Sequence, residues 1–136
     1  MAETTRYLIV QLEGEDFAIP ITSLLEIAAS HQVQKDPNLS EIFEGKIDYR
    51  GKMIPAVNLK KVLGMSGKPG NALIVIKGAK GVLGLLVDAA KELLEFTGRP
   101  LPLPAGIINS GRLLYAGVLK SRDELVLLLN EDGLLP

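Results

Sequence analysis

Apolar residues come in short runs along this chain, each closed by Gly, Asp, Asn or Pro, the punctuation of strands joined by tight turns. YLIVQL (7–12) and FAIPI (17–21) flank GED, which predicts a hairpin turning near Gly14. MIPAVNL (53–59) predicts another strand, with Gly51-Lys52 as the turn leading into it. LIVIK (73–77) and VLGLLV (82–87) flank GAKG as a second hairpin; LLYAGVLK (113–120) and LVLLLN (125–130) flank SRDE as a third. Many of these runs are apolar on both faces, as in sheets curled around a small core. Helical signals are brief. Ser23 and Glu26 have capping-box spacing, and Asp36-Pro37 followed by Gly45 predicts a turn of helix. LKKVLG (59–64) predicts another, stopped by Gly64. DAAKELLEF (88–96) fits a helix or a bent strand, and the pattern leaves both open.

The order of these elements repeats. Laying residues 45–63 over 117–135 pairs Gly45 with Gly117, Arg50 with Arg122, Asn58 with Asn130 and Leu63 with Leu135. Four identities in nineteen pairs exceed the roughly one expected from average residue usage. Upstream, LIVQL with its hairpin resembles LIVIK with its own. With one residue inserted, AIPITSLLEI lies over GLLVDAAKEL and pairs Glu26 with Glu92. GMSGKPGN (64–71), a Gly/Pro stretch of linker type, falls between the copies. The expectation is two similar β lobes, roughly 1–67 and 68–136, packed as one domain.

Composition narrows the function. Fifteen basic and sixteen acidic side chains nearly cancel, so no global charge draws the chain to nucleic acid or to an anionic membrane. The absence of cysteine removes disulfides, thiolate metal sites and cysteine nucleophiles together. The opening stretch lacks the pattern of a signal peptide, and no run approaches the eighteen or so apolar residues needed to cross a bilayer. The expectation is a cytoplasmic protein.

No catalytic constellation stands out. His31, the only histidine, lies in the polar stretch IAASHQVQ, so neither a Ser-His-Asp arrangement nor a histidine metal site is expected. The adjacent carboxylates Glu15-Asp16, Asp123-Glu124 and Glu131-Asp132 read as solvated residues of turns and strand ends. Gly78, Gly81 and Gly84 do not follow the dinucleotide pattern, and SGKPG lacks the rest of a phosphate-binding loop. With three Phe, three Tyr and no Trp, a base-stacking platform is not expected either. No cofactor is implied. A binding module is the better expectation, and Arg50-Gly51 is its first candidate. Gly51 permits a backbone shape that other residues resist, and an Arg beside it projects five donors on a flat plane. The same pair also suits an ordinary soluble turn.

GKIDYRGKMIPAVNLKKVLG (45–64) resembles the signature of CheW-like domains: Gly-hydrophobic-Asn-Leu-Arg-Gly, then hydrophobic-Pro-hydrophobic-Asp/Asn-Leu. FAIPITSLLEI is similar to the family's Phe-Ala-Ile-Pro-Val segment and the Val-x-Glu-Val after it. Asp36-Pro37 through Gly45, GLLVDAAKELLEF and AGVLKSRDELVLLLNEDGLL follow in family order. These domains are coupling proteins of bacterial and archaeal chemotaxis and the regulatory module of the histidine kinase CheA. The resemblance implies a mostly β fold of two SH3-like five-stranded barrels with short helices, spanning 1–136 as a single CheW-like domain. It implies a noncatalytic scaffold that binds a chemoreceptor's cytoplasmic tip on one surface and a CheA-type kinase on another.

By the same resemblance Arg50 and Gly51 occupy the receptor-facing signature, and Leu25 and Ile27 fall where the family supplies apolar receptor contacts. Simple core packing is the competing reading of those two. The kinase-facing surface stays unplaced, beyond the exposed edge strands of the first lobe. Asp48-Tyr49 replaces the usual Asn-Leu, which suggests either a local pair that holds the Arg50 guanidinium or a change of partner. A second adaptor reading keeps the fold and serves a different motility or signalling kinase. A small β-barrel enzyme or flavin-binding protein is the reading from another class, and a yellow sample would reveal it.

Overall fold

Short aliphatic runs closed by tight turns favour local antiparallel pairing, and four hairpins form in the computed structural model. The structure describes residues 4–28, 33–36, 38, 41–102, 114–121 and 124–134. The strands are β1 (Thr4–Leu12), β2 (Glu15–Pro20), β3 (Leu24–Ala28), β4 (Phe43–Tyr49) and β5 (Lys52–Asn58), then β6 (Ala72–Gly78), β7 (Gly81–Val87), β8 (Ala89–Thr97), β9 (Tyr115–Ser121) and β10 (Glu124–Leu129). One helical turn, α1 (Leu59–Val62), follows β5, and 3-10 turns lie at Ile21–Ser23 and Glu131–Gly133. The stretch 88–96, open from its pattern, is strand β8. No helix among the described residues is long and apolar enough to cross a membrane.

Two of the helical expectations give way. Glu26 belongs to β3, and the 3-10 turn before it has no side-chain cap, so Ser23 and Glu26 form no capping box. Gly45 lies in β4 and stops no helix. Its role is close approach, because a Cβ there would run into the Gln34 carbonyl, which pairs with Lys46 across the strand edge. Asp36 accepts a hydrogen bond from the Asn38 N–H at 3.0 Å, a local turn. His31, Pro37, Arg122, Asp123 and Leu135 lie outside the described residues.

The ten strands make two five-stranded sheets, ordered β8-β1-β2-β10-β9 and β3-β6-β7-β5-β4. Adding five to each strand number, cyclically, turns the first order into the second, so the internal repeat is a structural one. Each sheet takes a hairpin from one half of the chain and three strands from the other. Boundaries at 67 and 68 therefore mark the repeat units and not the sheets. Edge strands β3 and β4 do not pair with each other, nor do β8 and β9, so the expected barrels are curled open sheets.

Registers repeat as well as orders. Leu128 lies beside Ala18 in the parallel pair β2/β10, and Ala56 beside Gly84 in β5/β7. Bulges fall at related places: between Ile9 and Val10 in the β1/β8 pair and between Leu24 and Glu26 in β3/β6, and likewise in β4/β5 and β9/β10. Leu8, Ile19, Val57, Ile74, Leu85 and Leu129 help form one core shared between the sheets. A smaller core inside each curl holds Tyr7, Ile9 and Leu119 on one side and Ile47, Val75 and Leu86 on the other.

Pro55 sits in β5, an inner strand, where a missing N–H is usually costly. The parallel ladder with β7 begins only at Ala56. The Pro55 carbonyl lies 3.7 Å from where a Gly84 Cβ would stand, so its nitrogen also faces β7, ahead of the first rung. The counterpart of Pro55 in the first sheet, Leu127, pairs with Phe17, a rung the second sheet lacks at the proline.

Candidate protein-interaction site

The turn between β4 and β5 has two central residues, Arg50 (φ 52°) and Gly51 (φ 85°), both left-handed. That is the twist two-residue hairpins favour. Gly51 adopts it freely, and a Cβ there would touch nothing within 4 Å, so its use is conformational. Arg50 adopts it at a cost of about 1–2 kcal/mol for an L-residue with a side chain. Asp48 accepts the Gly51 N–H at 3.0 Å and closes the turn. Asp48 thus caps the backbone, where the sequence suggested a pair with the guanidinium.

The guanidinium points elsewhere. Arg50 Nη2 lies 3.3 Å from Glu26 Oε1 on β3, and its Cζ sits 5.4 Å from the Tyr49 ring centroid. The Arg50 side chain remains 74 % exposed, so water screens this pair and it contributes little to stability. What the contacts provide is direction: they lay a flat cation across the unpaired seam between the β4–β5 tip and β3. Sequence reasoning missed Glu26 and Tyr49 as the groups that hold it.

Leu25 and Ile27 stand on either side of Glu26 in β3, 44 % and 47 % exposed. They are therefore not core residues. Both are more exposed than Leu24, Glu26 and Ala28 around them, and the β3/β6 register shifts at Leu25. Met53, one residue beyond the turn, is 47 % exposed and adds a further apolar contact that the sequence did not single out. The structure thus brings Arg50 and Gly51 to the strand that carries Leu25 and Ile27, with Glu26 as the link. A cation on an apolar strip, its rotamer already held, can dock a helix or loop.

Elsewhere the charged groups are structural. Lys60 of α1 is buried, its Nζ 2.6 Å from Glu13 Oε1, 2.8 Å from Asp88 Oδ1 and 2.8 Å from the Lys68 carbonyl. It joins the β1–β2 tip, the end of β7 and the linker. Asp16, read from sequence as a solvated turn residue, lies in β2 with its side chain only 19 % exposed and Oδ2 2.9 Å from Lys91 Nζ. The other Asp16 oxygen is buried without a protein hydrogen-bond partner. Among the described residues no cluster of His, Cys, Asp or Glu could hold a metal ion.

A family profile described as the CheW-like domain matches residues 6–136. The chain is 27 % identical over 135 residues to "Chemotaxis protein CheW" of Klebsiella aerogenes, covering 95 % of this chain and 80 % of that protein. It is 23 % identical over 137 residues to the protein of the same name from Helicobacter pylori, covering 98 % and 82 %. The solved structure of scaffolding protein TtCheW from Thermoanaerobacter tengcongensis superposes with a TM-score of 0.84 at 24 % identity, over 97 % of this chain and 92 % of that one.

Proposed function

The chain belongs to the CheW-like domain family, and from that premise we propose that it couples chemoreceptor tips to a CheA-type histidine kinase. It is a noncatalytic chemotaxis scaffold, mostly β in fold. In this reading it works in the cytoplasm, contacts the membrane only through its receptors, and binds no nucleic acid. Arg50, Gly51, Leu25 and Ile27 form the receptor-facing surface. Coupling follows from holding two partners at once, because a small displacement of one then biases the state of the other.

The observation that supports this most is the Arg50 side chain. Glu13 is left-handed in the β1–β2 turn as Arg50 is in the β4–β5 turn, but the Arg50 guanidinium is steered by Glu26 and Tyr49 at the surface while remaining mostly exposed. A receptor tip is a helical hairpin, and a cation beside an apolar strip suits a helix face.

The test is binding of the purified protein to the kinase and to receptor tips from its own genome, by calorimetry, with Arg50→Ala alongside. The expected result is that wild type binds both and Arg50→Ala keeps the kinase while losing at least tenfold for the receptor, about 1.4 kcal/mol. Wild type binding neither folded partner would remove the coupling role and leave a scaffold for another circuit.

A further inference from the structure

One group at the β4–β5 tip has no counterpart in the other half of the chain. The repeat that pairs Arg50 with Arg122 pairs Tyr49 with Ser121, so only one of the two arginines follows an aromatic residue. The family signature carries Leu at that position, which offers no ring either. Tyr49 is half-buried at the end of β4 and packs against the inner core of the second sheet, as Ala28 and Val33 do. That anchors the ring. The Arg50 Cζ sits over it at 5.4 Å from the centroid, within the range of a cation–π contact. Of the five N–H donors of the guanidinium, contacts among the described residues use one, from Nη2 to Glu26 Oε1 at 3.3 Å. Asp48, the carboxylate closest in sequence, already accepts the Gly51 N–H. The remaining Arg50 donors meet no acceptor among the described residues.

We propose that Tyr49 is a positioning residue that makes Arg50 selective for a carboxylate, so that this chain takes receptor tips carrying an Asp or Glu beside their apolar helix face. The proposal rests on Arg50 facing the receptor. A long side chain on an exposed turn samples many rotamers, and binding must fix them. Here the ring supplies a floor and Glu26 a side stop, so much of that ordering is done before the partner arrives. A planar guanidinium with unused donors matches the two oxygens of a carboxylate, and a bidentate pair outcompetes the single contact to Glu26. An amide offers one oxygen and no charge, so the same site discriminates against Asn and Gln. Ser121 beside Arg122 gives the other half of the chain no such floor.

Calorimetry of the purified protein with receptor tips from its own genome tests it, with Arg50→Ala as the reference loss. Tyr49→Leu should bind the tip about three- to tenfold more weakly, while Tyr49→Phe, which keeps the ring, should bind as wild type does. Each Asp and Glu of the tip is then replaced by its amide. One such change should cost wild type on the order of tenfold, cost Arg50→Ala nothing further, and cost Tyr49→Leu less than wild type. A ring that merely filled space would leave that coupling unmoved. The scan against wild type and Arg50→Ala decides even if Tyr49→Leu folds poorly, which circular dichroism checks. A folded Tyr49→Leu that binds as tightly as wild type overturns the proposal alone. So does a Tyr49→Phe that binds as weakly as Tyr49→Leu, or a tip in which no acidic residue couples to Arg50. A wild type that binds no tip, or an Arg50→Ala that binds like wild type, removes the receptor-facing reading and this proposal with it.

Discussion

Lys60 on α1 and Asp132 on the last 3-10 turn occupy related places in the two halves of the chain, and each ties down a hairpin tip. Lys60 holds the β1–β2 tip through the Glu13 carboxylate, whereas Asp132 accepts the Ala79 N–H of the β6–β7 tip at 2.7 Å. One fastening is a buried ion cluster and the other an exposed hydrogen bond. Gly45 and Gly117 repeat the comparison on the outer strands, where each lets a neighbouring segment pass against the sheet. Bulges and close approaches coincide between halves, as do the exposed apolar pairs Met53/Leu125 and Ile27/Leu93; charges such as Lys52 against Glu124 do not. Positions that carry the ladder are thus held by geometry in both halves, while the pairs Leu25/Lys91 and Lys52/Glu124 diverge; Arg50, matched by Arg122, does not.

The strongest way to break the equivalence is to add a methyl at each glycine. A Cβ on Gly45 would collide with the Gln34 carbonyl, and the residue sits at φ 149°. On Gly117 it would come within 2.8 Å of the Leu101 carbonyl, with no left-handed backbone. Gly45→Ala should cost roughly 3 kcal/mol or more, and Gly117→Ala about 1–3 kcal/mol. Denaturant unfolding of the two variants measures the difference. Equal losses would mean that the segment at Gln34 yields as readily as the one at Leu101, and the halves would then be alike in rigidity too.

The two fastenings come next. Breaking a fully buried ion pair costs about 3–5 kcal/mol, but Glu13 and Asp88 are partly exposed and can rehydrate, so Lys60→Met should cost about 2 kcal/mol. Asp132→Ala, which removes one exposed hydrogen bond, should cost about 1 kcal/mol or less. The ion cluster also leaves a mark on acid stability. Burial pushes the Asp88 carboxyl up, but the Lys60 hydrogen bond, the Glu13 N–H and the Lys60 charge together hold it below its ordinary 3.8. A carboxylate depressed in the folded state stabilises above its unfolded value and loses that contribution as pH falls through the folded one. Wild type should therefore lose stability below about pH 4, and Asp88→Asn should flatten that limb. An unchanged acid profile in Asp88→Asn would remove the cluster from the account.

Hairpins were legible because strand periodicity and Gly-containing turns are local, and the repeat was legible because its spacing survives in identities such as Gly45/Gly117. The exchange of strands between halves was not. Parallel contacts such as Ala56 beside Gly84 join positions whose local sequence would suit either sheet. At the site, Arg50 was visible through Gly51 next to it, but Glu26 was not, because nothing near a strand glutamate announces a guanidinium 24 positions on. Asp16 misled for the same reason: its partner Lys91 lies 75 positions away, across an edge that only the folded sheet creates. Exposure of Leu25 and Ile27 depended on which side of β3 meets the core, and an apolar edge strand of five residues does not encode that.

The smallest expected change is the one that separates folding from binding at the β4–β5 tip. Glycine accepts φ near 52° without the clash that Arg50 bears there. Arg50→Gly relieves that strain but frees the unfolded chain, so stability should rise by no more than about 1 kcal/mol. Receptor binding, in contrast, should fall as far as it does in Arg50→Ala, because both remove the cation. A variant that gains stability while losing a partner identifies a residue retained for contact at the expense of the fold. If Arg50→Gly instead unfolds more easily than wild type, the Glu26 and Tyr49 contacts are holding the seam between β3 and the tip together. Arg50 would then be a closure of the second sheet, and its retention would be structural at that position.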